Sequence, residues 1–132
     1  MDNVLNHAAE ILILIFLVIT FLQSGIDKIT DWNGNLSWLK GHFKDTPMKG
    51  IVPLMLSTVL IAELVAGILC LIGVYQLGTS GESTMAIYGA ILSCVALLML
   101  LFGQRMAKDY AGAMTIAVYF IPAIFLVFLL QP

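Results

Sequence analysis

The chain has 132 residues, of which 61% are hydrophobic and only 11% are charged, whereas a soluble domain carries about 25% charged residues. A core this small cannot bury so much apolar surface, so the composition excludes an ordinary water-soluble domain and indicates lipid as the solvent. The formal net charge of -2 argues against a nucleic-acid partner.

Four stretches reach the roughly 20 apolar residues that a membrane crossing needs: residues 7–29, 51–75, 84–103 and 111–130. They are too long for strands and lack the alternation of a membrane barrel. In lipid, only a helix can then satisfy its own backbone. The sequence therefore predicts an all-α fold, a four-transmembrane-helix bundle that forms one membrane domain over residues 1–132.

The first link, residues 30–50, has a helical pattern of its own. Apolar side chains recur on one face, and polar side chains occupy the other: Trp32, Leu36, Leu39 and Phe43 against Ser37, Lys40 and Lys44. This pattern predicts a short amphipathic interfacial helix between helices 1 and 2, with Trp38 as an anchor at headgroup level. A lid packed on the end of the bundle is the alternative.

The other two links are short, which makes helices two, three and four antiparallel neighbours. All six Lys and Arg residues of the chain lie in the first and third links or at their edges. The positive-inside rule then predicts that these links are cytoplasmic and that both termini lie outside the cytoplasm.

Glu63 is the most informative residue, because it sits about halfway along an uncharged span. An ionised carboxylate in the middle of a bilayer costs about 2.5–3.5 kcal/mol on insertion scales. We therefore expect Glu63 to face protein, water or a ligand. One interpretation is a functional group that binds a ligand or handles a proton; the other is a structural hydrogen bond to Thr20, Gln23, Ser93 or Thr115.

Asp27 and Lys28 form a second candidate site at the end of the first span. As adjacent residues they point about 100° apart on a helix and do not pair with each other. We expect Asp27 to pair with Lys49, Arg105 or Lys108, and Lys28 to pair with Asp109 or Asp31. Snorkelling of Lys28 to the membrane interface is the alternative.

The third link, residues 103–110, should lie on the same membrane side as Asp27 and Lys28, and together they would form a polar cap. Arg105 could there clamp an anionic group, with a lipid phosphate as the favoured partner. Pro122 interrupts the fourth span and frees a carbonyl. With Tyr119 beside it, a kink there could open a ligand pocket at the depth of Glu63; a plain packing kink is the alternative.

Small residues at spacings of four mark the expected helix contacts: Thr58, Ala62 and Ala66; Gly89 and Ser93; Ala113 and Ala117. Glu63 and Gly67 form a second stripe on the same helix, which predicts a central position for the second span. The two cysteines, Cys70 and Cys94, form no CxxC pair and are expected to be buried packing residues. The two histidines make no haem or metal pattern, so no metal site is predicted.

Two segments resemble DoxX family membrane proteins. The first span ends in a pattern with Gly25, Lys28 and Ile29, and the second contains Ile61-Ala62-Glu63-Leu64 followed by Gly67 and Gly73. The matching positions are Lys28, Glu63, Gly67 and Gly73. The resemblance implies a small bacterial inner-membrane protein, in a family named for a subunit of an archaeal thiosulfate:quinone oxidoreductase.

The function expected from these observations is that of an accessory or scaffold subunit, bound to other integral membrane proteins and to lipids. The alternative is a quinone-linked oxidoreductase subunit in which Glu63 hydrogen-bonds the quinone, with no cofactor held by the chain itself. A small transporter or proton path through Glu63 is the weakest interpretation, because four spans leave little room for alternating access. No catalytic residue is predicted.

Overall fold

The computed structural model describes residues 2–132; Met1, the first residue of the predicted domain, lies outside the described residues. The α-helices in chain order are α1 (Asp2–Asn6), α2 (Ala8–Thr30), α3 (Trp32–His42), α4 (Val52–Thr79), α5 (Thr84–Met106) and α6 (Tyr110–Leu130), with a short 3-10 helix at Lys49–Ile51 before α4. Four of them, α2, α4, α5 and α6, are long and apolar enough to cross a membrane. The all-α prediction and the four long apolar helices are thereby confirmed.

The predicted boundaries hold to within a few residues, apart from the end of the second span. Helix α4 continues to Thr79, and the backbone N–H groups of Ser80 and Gly81 then bond Gln76 O at 2.9 and 3.0 Å. Gly81 has a φ of 76°, a left-handed conformation that glycine adopts without strain. At 28 residues, α4 is about 42 Å long, so it is longer than the hydrocarbon core is thick.

Helix α4 lies between α2 and α5, while α6 packs closely on α5 and only lightly on α2. The contact of α4 with both α2 and α5 agrees with the central position predicted for the second span. The crossing of α4 and α5 depends on two glycines. A Cβ on Gly73 would lie 2.6 Å from Ala86 Cα, and one on Gly89 would lie 2.8 Å from Cys70 N. Only residues without side chains allow backbones to approach this closely.

The small-residue stripes are confirmed in part. Ala66, Ser93 and Ala113 are buried at helix contacts, whereas Thr58 and Ala117 are exposed on the outer surface. Thr58 needs no partner helix, because its hydroxyl donates to Leu54 O one turn earlier at 2.8 Å.

The core between the four long helices is apolar, and most of the outer surface of these helices is apolar too. The largest fully buried side chains are Leu14, Leu17, Phe21, Val52, Cys70, Leu77, Leu97 and Leu126, with the polar Ser93 among them. Both cysteines are buried free thiols. An apolar outside around an apolar core is the arrangement expected of a bundle that has lipid as its solvent.

Helix α3 lies across one end of the bundle, against α2 and α4. Its predicted faces are correct, since Trp32, Leu36 and Leu39 are partly buried while Ser37 and Lys40 are exposed. Phe43, directly after the helix, is buried and lies next to Gly103 near the end of α5.

The first and third links meet at one end of the bundle, because His42 contacts Gln104 and Asp109. At the opposite end, the Asn3 side chain donates to Thr79 O at 3.2 Å. The basic residues of both links therefore gather at a single end, as the polar-cap prediction requires.

Candidate functional site

The buried carboxylate of Glu63 pairs with Lys28. The distance from Lys28 Nζ to Glu63 Oε1 is 2.8 Å, and the two side chains are 17% and 3% exposed, respectively. The expectation that Glu63 points into the protein is confirmed. A buried charge needs a counter-charge, and Lys28 supplies it from the neighbouring helix.

The packing of α2 against α4 brings these two residues together. Gly25 lies against the side chain of Leu64, and Gly67 lies against that of Leu22. Each glycine thus sits about one turn away from the member of the pair on its own helix and lets the other helix come close. Lys28 is only two residues from the end of α2, so its long side chain runs back into the bundle to reach Glu63.

Ser24 is the third member of this group. Lys28 Nζ donates a hydrogen bond to Ser24 Oγ at 2.7 Å, one helical turn away. An ammonium group has three N–H donors, and Ser24 accepts one of them.

The pairing of Glu63 is incomplete. Its Oε1 is buried and has no aligned hydrogen-bond donor among residues 2–132. Lys28 Nζ lies close enough for ionic attraction, but it approaches outside hydrogen-bond geometry. The Lys28 ammonium therefore stabilises this buried oxygen by its charge.

The partners that the sequence predicted for this pair are wrong. Ser93 bonds Gly89 O and Cys70 Sγ instead, and Thr20 and Thr115 donate to carbonyls of their own helices. Lys28 neither snorkels outward nor pairs with an aspartate, because the buried carboxylate provides the stronger partner. Glu63 does bridge two helices, but through an ion pair with Lys28 rather than through any of the predicted hydrogen bonds.

Lys28 lines a cavity of about 220 Å³ between α2, α3, α4 and α5. Its polar lining consists of Lys28, Asn35, His42 and Gln104, and the remaining walls are apolar or aromatic. Such a cavity, mostly apolar with a few convergent polar groups, is the usual form of a small-molecule site.

His42 connects α3 to the rest of the cavity rim. Its Nε2 lies 3.2 Å from Gln104 Oε1, within hydrogen-bond distance. The same nitrogen is 3.6 Å from Asp109 Oδ2. The imidazole also stacks on Trp38, with ring centroids 4.6 Å apart. We call Trp38, His42 and Gln104 the rim cluster.

Asp109 belongs to the same end of the bundle through a helix cap. Its Oδ1 accepts from Gly112 N at 2.9 Å and so caps the start of α6. The turn before it depends on Lys108, whose φ of 60° lets Asp109 N bond Gln104 O at 2.9 Å. This tight turn places Asp109 next to the rim cluster.

Three predicted site residues lie outside this group. Asp27 is exposed, and the structure shows no ion pair for it within residues 2–132. Arg105 is exposed, with its guanidinium 5.0 Å from the centroid of the Tyr110 ring. Tyr119 is partly buried against Phe16, with ring centroids 6.1 Å apart. Phe16 is twelve residues before Lys28, or about 18 Å along α2, so Tyr119 packs far from the ion pair.

The cavity at Lys28 lies between α2, α3, α4 and α5, so it is not the pocket that the sequence suggested beside Pro122 of α6. Sequence reasoning overlooked His42, Met55, Val59 and Met99 as lining residues. A signal for His42 was available, because it follows Trp38 by one helical turn. The methionines and the valine had no such signal, because the sequence does not distinguish apolar residues that line a cavity from the other apolar residues of a span.

Helices α4 and α5 also form an open apolar groove of about 490 Å³. It shares four lining residues with the cavity, Met55, Val59, Met99 and Gly103. We call this surface the α4–α5 groove; its outer part is lined by Thr58, Val95, Leu98 and Phe102, among others.

These features support a multi-pass membrane protein with a buried ion pair beside a cavity at one end of its bundle. Comparison with protein-family models, with curated proteins and with solved structures finds no match to this chain.

Proposed function

We propose that this chain is a subunit of a membrane protein complex that binds the headgroup of a lipophilic ligand in the cavity at Lys28. The observation that carries this proposal is the Lys28 ammonium, which lines the cavity while the buried Glu63 carboxylate holds it in place. A lysine fixed in this way presents a donor at a defined position, which a solvent-exposed lysine does not do.

A quinone is the ligand that we propose first. Its carbonyl oxygens accept hydrogen bonds, and Lys28 and Gln104 bring N–H donors to the cavity. The aromatic ring of Trp38 offers a surface on which a flat ring can stack. This differs from the sequence-based hypothesis in one respect, because Lys28, not Glu63, lines the cavity. The role that we assign to Glu63 is to position Lys28.

The resemblance to DoxX proteins supports the same proposal. Of the four matching positions, Lys28 and Glu63 form the ion pair, and Gly67 and Gly73 lie at close helix approaches. All four therefore have a physical role in building the site or the contacts around it. We infer a DoxX-like protein on this basis.

An accessory or scaffold subunit without a ligand is the second candidate function. It is favoured by the apolar α4–α5 groove, which is open on the outer surface of the bundle and would suit a helix of another membrane protein. In both cases the chain would work with integral membrane partners and lipids.

We further propose a bacterial cytoplasmic membrane location, with the basic end of the bundle on the cytoplasmic side and both termini outside. The gathering of the first and third links at one end supports this orientation. In this proposed orientation, α3 would lie in the membrane interface, and Trp38, which is 61% exposed, would lie at headgroup level.

The test is purification in mild detergent from native membranes, followed by identification of co-eluting quinone and protein. Quinone binding to the pure protein is then measured by quenching of Trp38 fluorescence, with Trp38→Phe to correct for Trp32. Lys28→Met should weaken binding about 10- to 150-fold, the value of one charge-assisted hydrogen bond. The matched control Lys40→Met removes an exposed lysine of α3 and should leave binding unchanged.

Because Lys28→Met leaves Glu63 without its counter-charge, the double variant Lys28→Met/Glu63→Gln is measured as well. It should be folded and equally poor at binding. Equal binding by wild type, Lys28→Met and the double variant would refute the proposal. The scaffold function would be favoured if a protein partner co-elutes in fixed ratio and quinone binds neither to the material from native membranes nor to the pure protein.

A further inference from the structure

The cavity at Lys28 is too small for a complete lipophilic ligand. Its volume is about 220 Å³, whereas pockets for drug-sized ligands measure about 300–1,000 Å³. A ring-sized headgroup would fill it, and any hydrocarbon chain attached to that headgroup would need an exit from it.

The wall shared with the α4–α5 groove is suited to that exit. It consists of Met55 and Val59, one turn apart on α4, and Met99 and Gly103, one turn apart on α5. Methionine side chains are flexible and adapt to irregular shapes. Gly103 adds no side chain, and its nearest neighbour on that side is Phe43, 3.5 Å from the position of a Cβ.

Beyond this wall the groove is lined almost entirely by apolar side chains, which suit a hydrocarbon chain. Val95, Leu98 and Phe102 line it and are exposed on the outer surface. Thr58 is the polar lining residue, and its hydroxyl already donates to Leu54 O at 2.8 Å. The groove therefore offers an apolar surface that is open on the outside of the bundle and adjoins the polar cavity across the shared wall.

We infer that the ligand at Lys28 carries a long hydrocarbon chain, that this chain lies in the α4–α5 groove, and that the ligand enters sideways from the bilayer. This rests on the proposed quinone function and extends it, because it specifies a tailed ligand and its route. Lipid chains are as apolar as the groove, so the groove decides whether a tailed ligand can seat and adds little to how tightly it binds.

The test uses two ligands in nanodiscs, a benzoquinone without a tail and the same ring with a decyl chain, with concentrations corrected for partition into lipid. Val95→Trp fills the groove at an exposed position. Its matched control is Val65→Trp, a similarly exposed valine of α4 that does not line the groove. Val95→Trp should weaken binding of the decyl ligand at least about tenfold and leave the tailless ligand unchanged, while Val65→Trp should change neither.

A photo-reactive group at the end of the decyl chain locates the tail directly. We expect crosslinks on residues 95–102 that an excess of unlabelled decyl quinone suppresses. Three outcomes would overturn the inference while leaving headgroup binding intact. The crosslinks could lie on other residues, or quinone could fail to suppress them, as at an ordinary phospholipid site. The decyl ligand could also bind equally well to Val95→Trp and to wild type. No binding of either quinone to wild type would overturn the proposed function itself, and this inference with it.

Discussion

Breaking the Lys28–Glu63 pair from the lysine side should destabilise the protein more than breaking it from the glutamate side. Glu63 is only 3% exposed, and its Oε1 has no aligned donor in the described part of the chain. Lys28→Met therefore leaves a buried carboxylate without a counter-charge. Lys28 is 17% exposed and keeps its bond to Ser24, so Glu63→Gln leaves a charge that is still partly satisfied.

The magnitudes follow from this asymmetry. Removing one partner of a buried ion pair costs about 3–5 kcal/mol, and we expect Lys28→Met to lie near 3 kcal/mol because the lysine side is partly open to the cavity. For Glu63→Gln we expect about 1.5 kcal/mol, below that range, because the Lys28 ammonium keeps its bond to Ser24 and is partly exposed. The double variant Lys28→Met/Glu63→Gln should cost only about 1 kcal/mol, since no charge is left unpaired.

The assay is reversible unfolding in mixed micelles, followed by tryptophan fluorescence, with all four members of the mutant cycle and Lys40→Met as an exposed control. The cycle should give a coupling of about 3.5 kcal/mol between the two positions, while Lys40→Met should stay within about 0.5 kcal/mol of wild type. The two side chains do not interact as described if both single variants lose the same free energy of unfolding and the loss of the double variant equals their sum.

Three further outcomes are expected from the same unfolding assay. Asp109→Ala should lower the free energy of unfolding by about 1 kcal/mol, because it removes the cap on Gly112 N. Asp109→Asn keeps a capping oxygen and should lower it by less. Equal losses for the two variants would argue against the cap. Gly89→Ala should cost about 1–3 kcal/mol because the added Cβ overlaps the α4 backbone. In contrast, Gly41→Ala, with open space around it, should be neutral or slightly stabilising, and similar effects of both would contradict the close crossing. Cys70 and Cys94 should react with a water-soluble maleimide only after unfolding in strong detergent, as measured by intact mass, and rapid labelling of the folded protein would contradict their burial.

The cavity rim connects these predictions to the proposed site. The same end of the bundle holds the cap at Asp109, the rim cluster and the Lys28 ammonium. A variant that loosens this end should therefore affect both stability and ligand binding. The crossing at Gly89 lies in the N-terminal third of α5, on the α4 side, and a variant there should affect stability first.

The sequence by itself determined the four long helices, because twenty apolar residues in a row leave the backbone no other way to satisfy its hydrogen bonds in lipid. It also predicted that Glu63 faces inward, since the cost of exposing a carboxylate to hydrocarbon does not depend on which helix lies beside it. The two faces of α3 followed from their helical spacing alone. These are local properties, which periodicity and composition are able to express.

Only the tertiary structure decided which residue answers Glu63. Ser, Thr and Gln side chains on three helices were all chemically acceptable partners, and the choice depended on how α2 and α4 are rotated and how far they slide past each other. The glycine contacts at Gly25 and Gly67 set that register, and they bring in Lys28 from the end of its helix. The cavity likewise formed where α3 crosses the ends of α4 and α5, a position that no pattern within a single helix encodes, because it is the space left between several elements once they have packed.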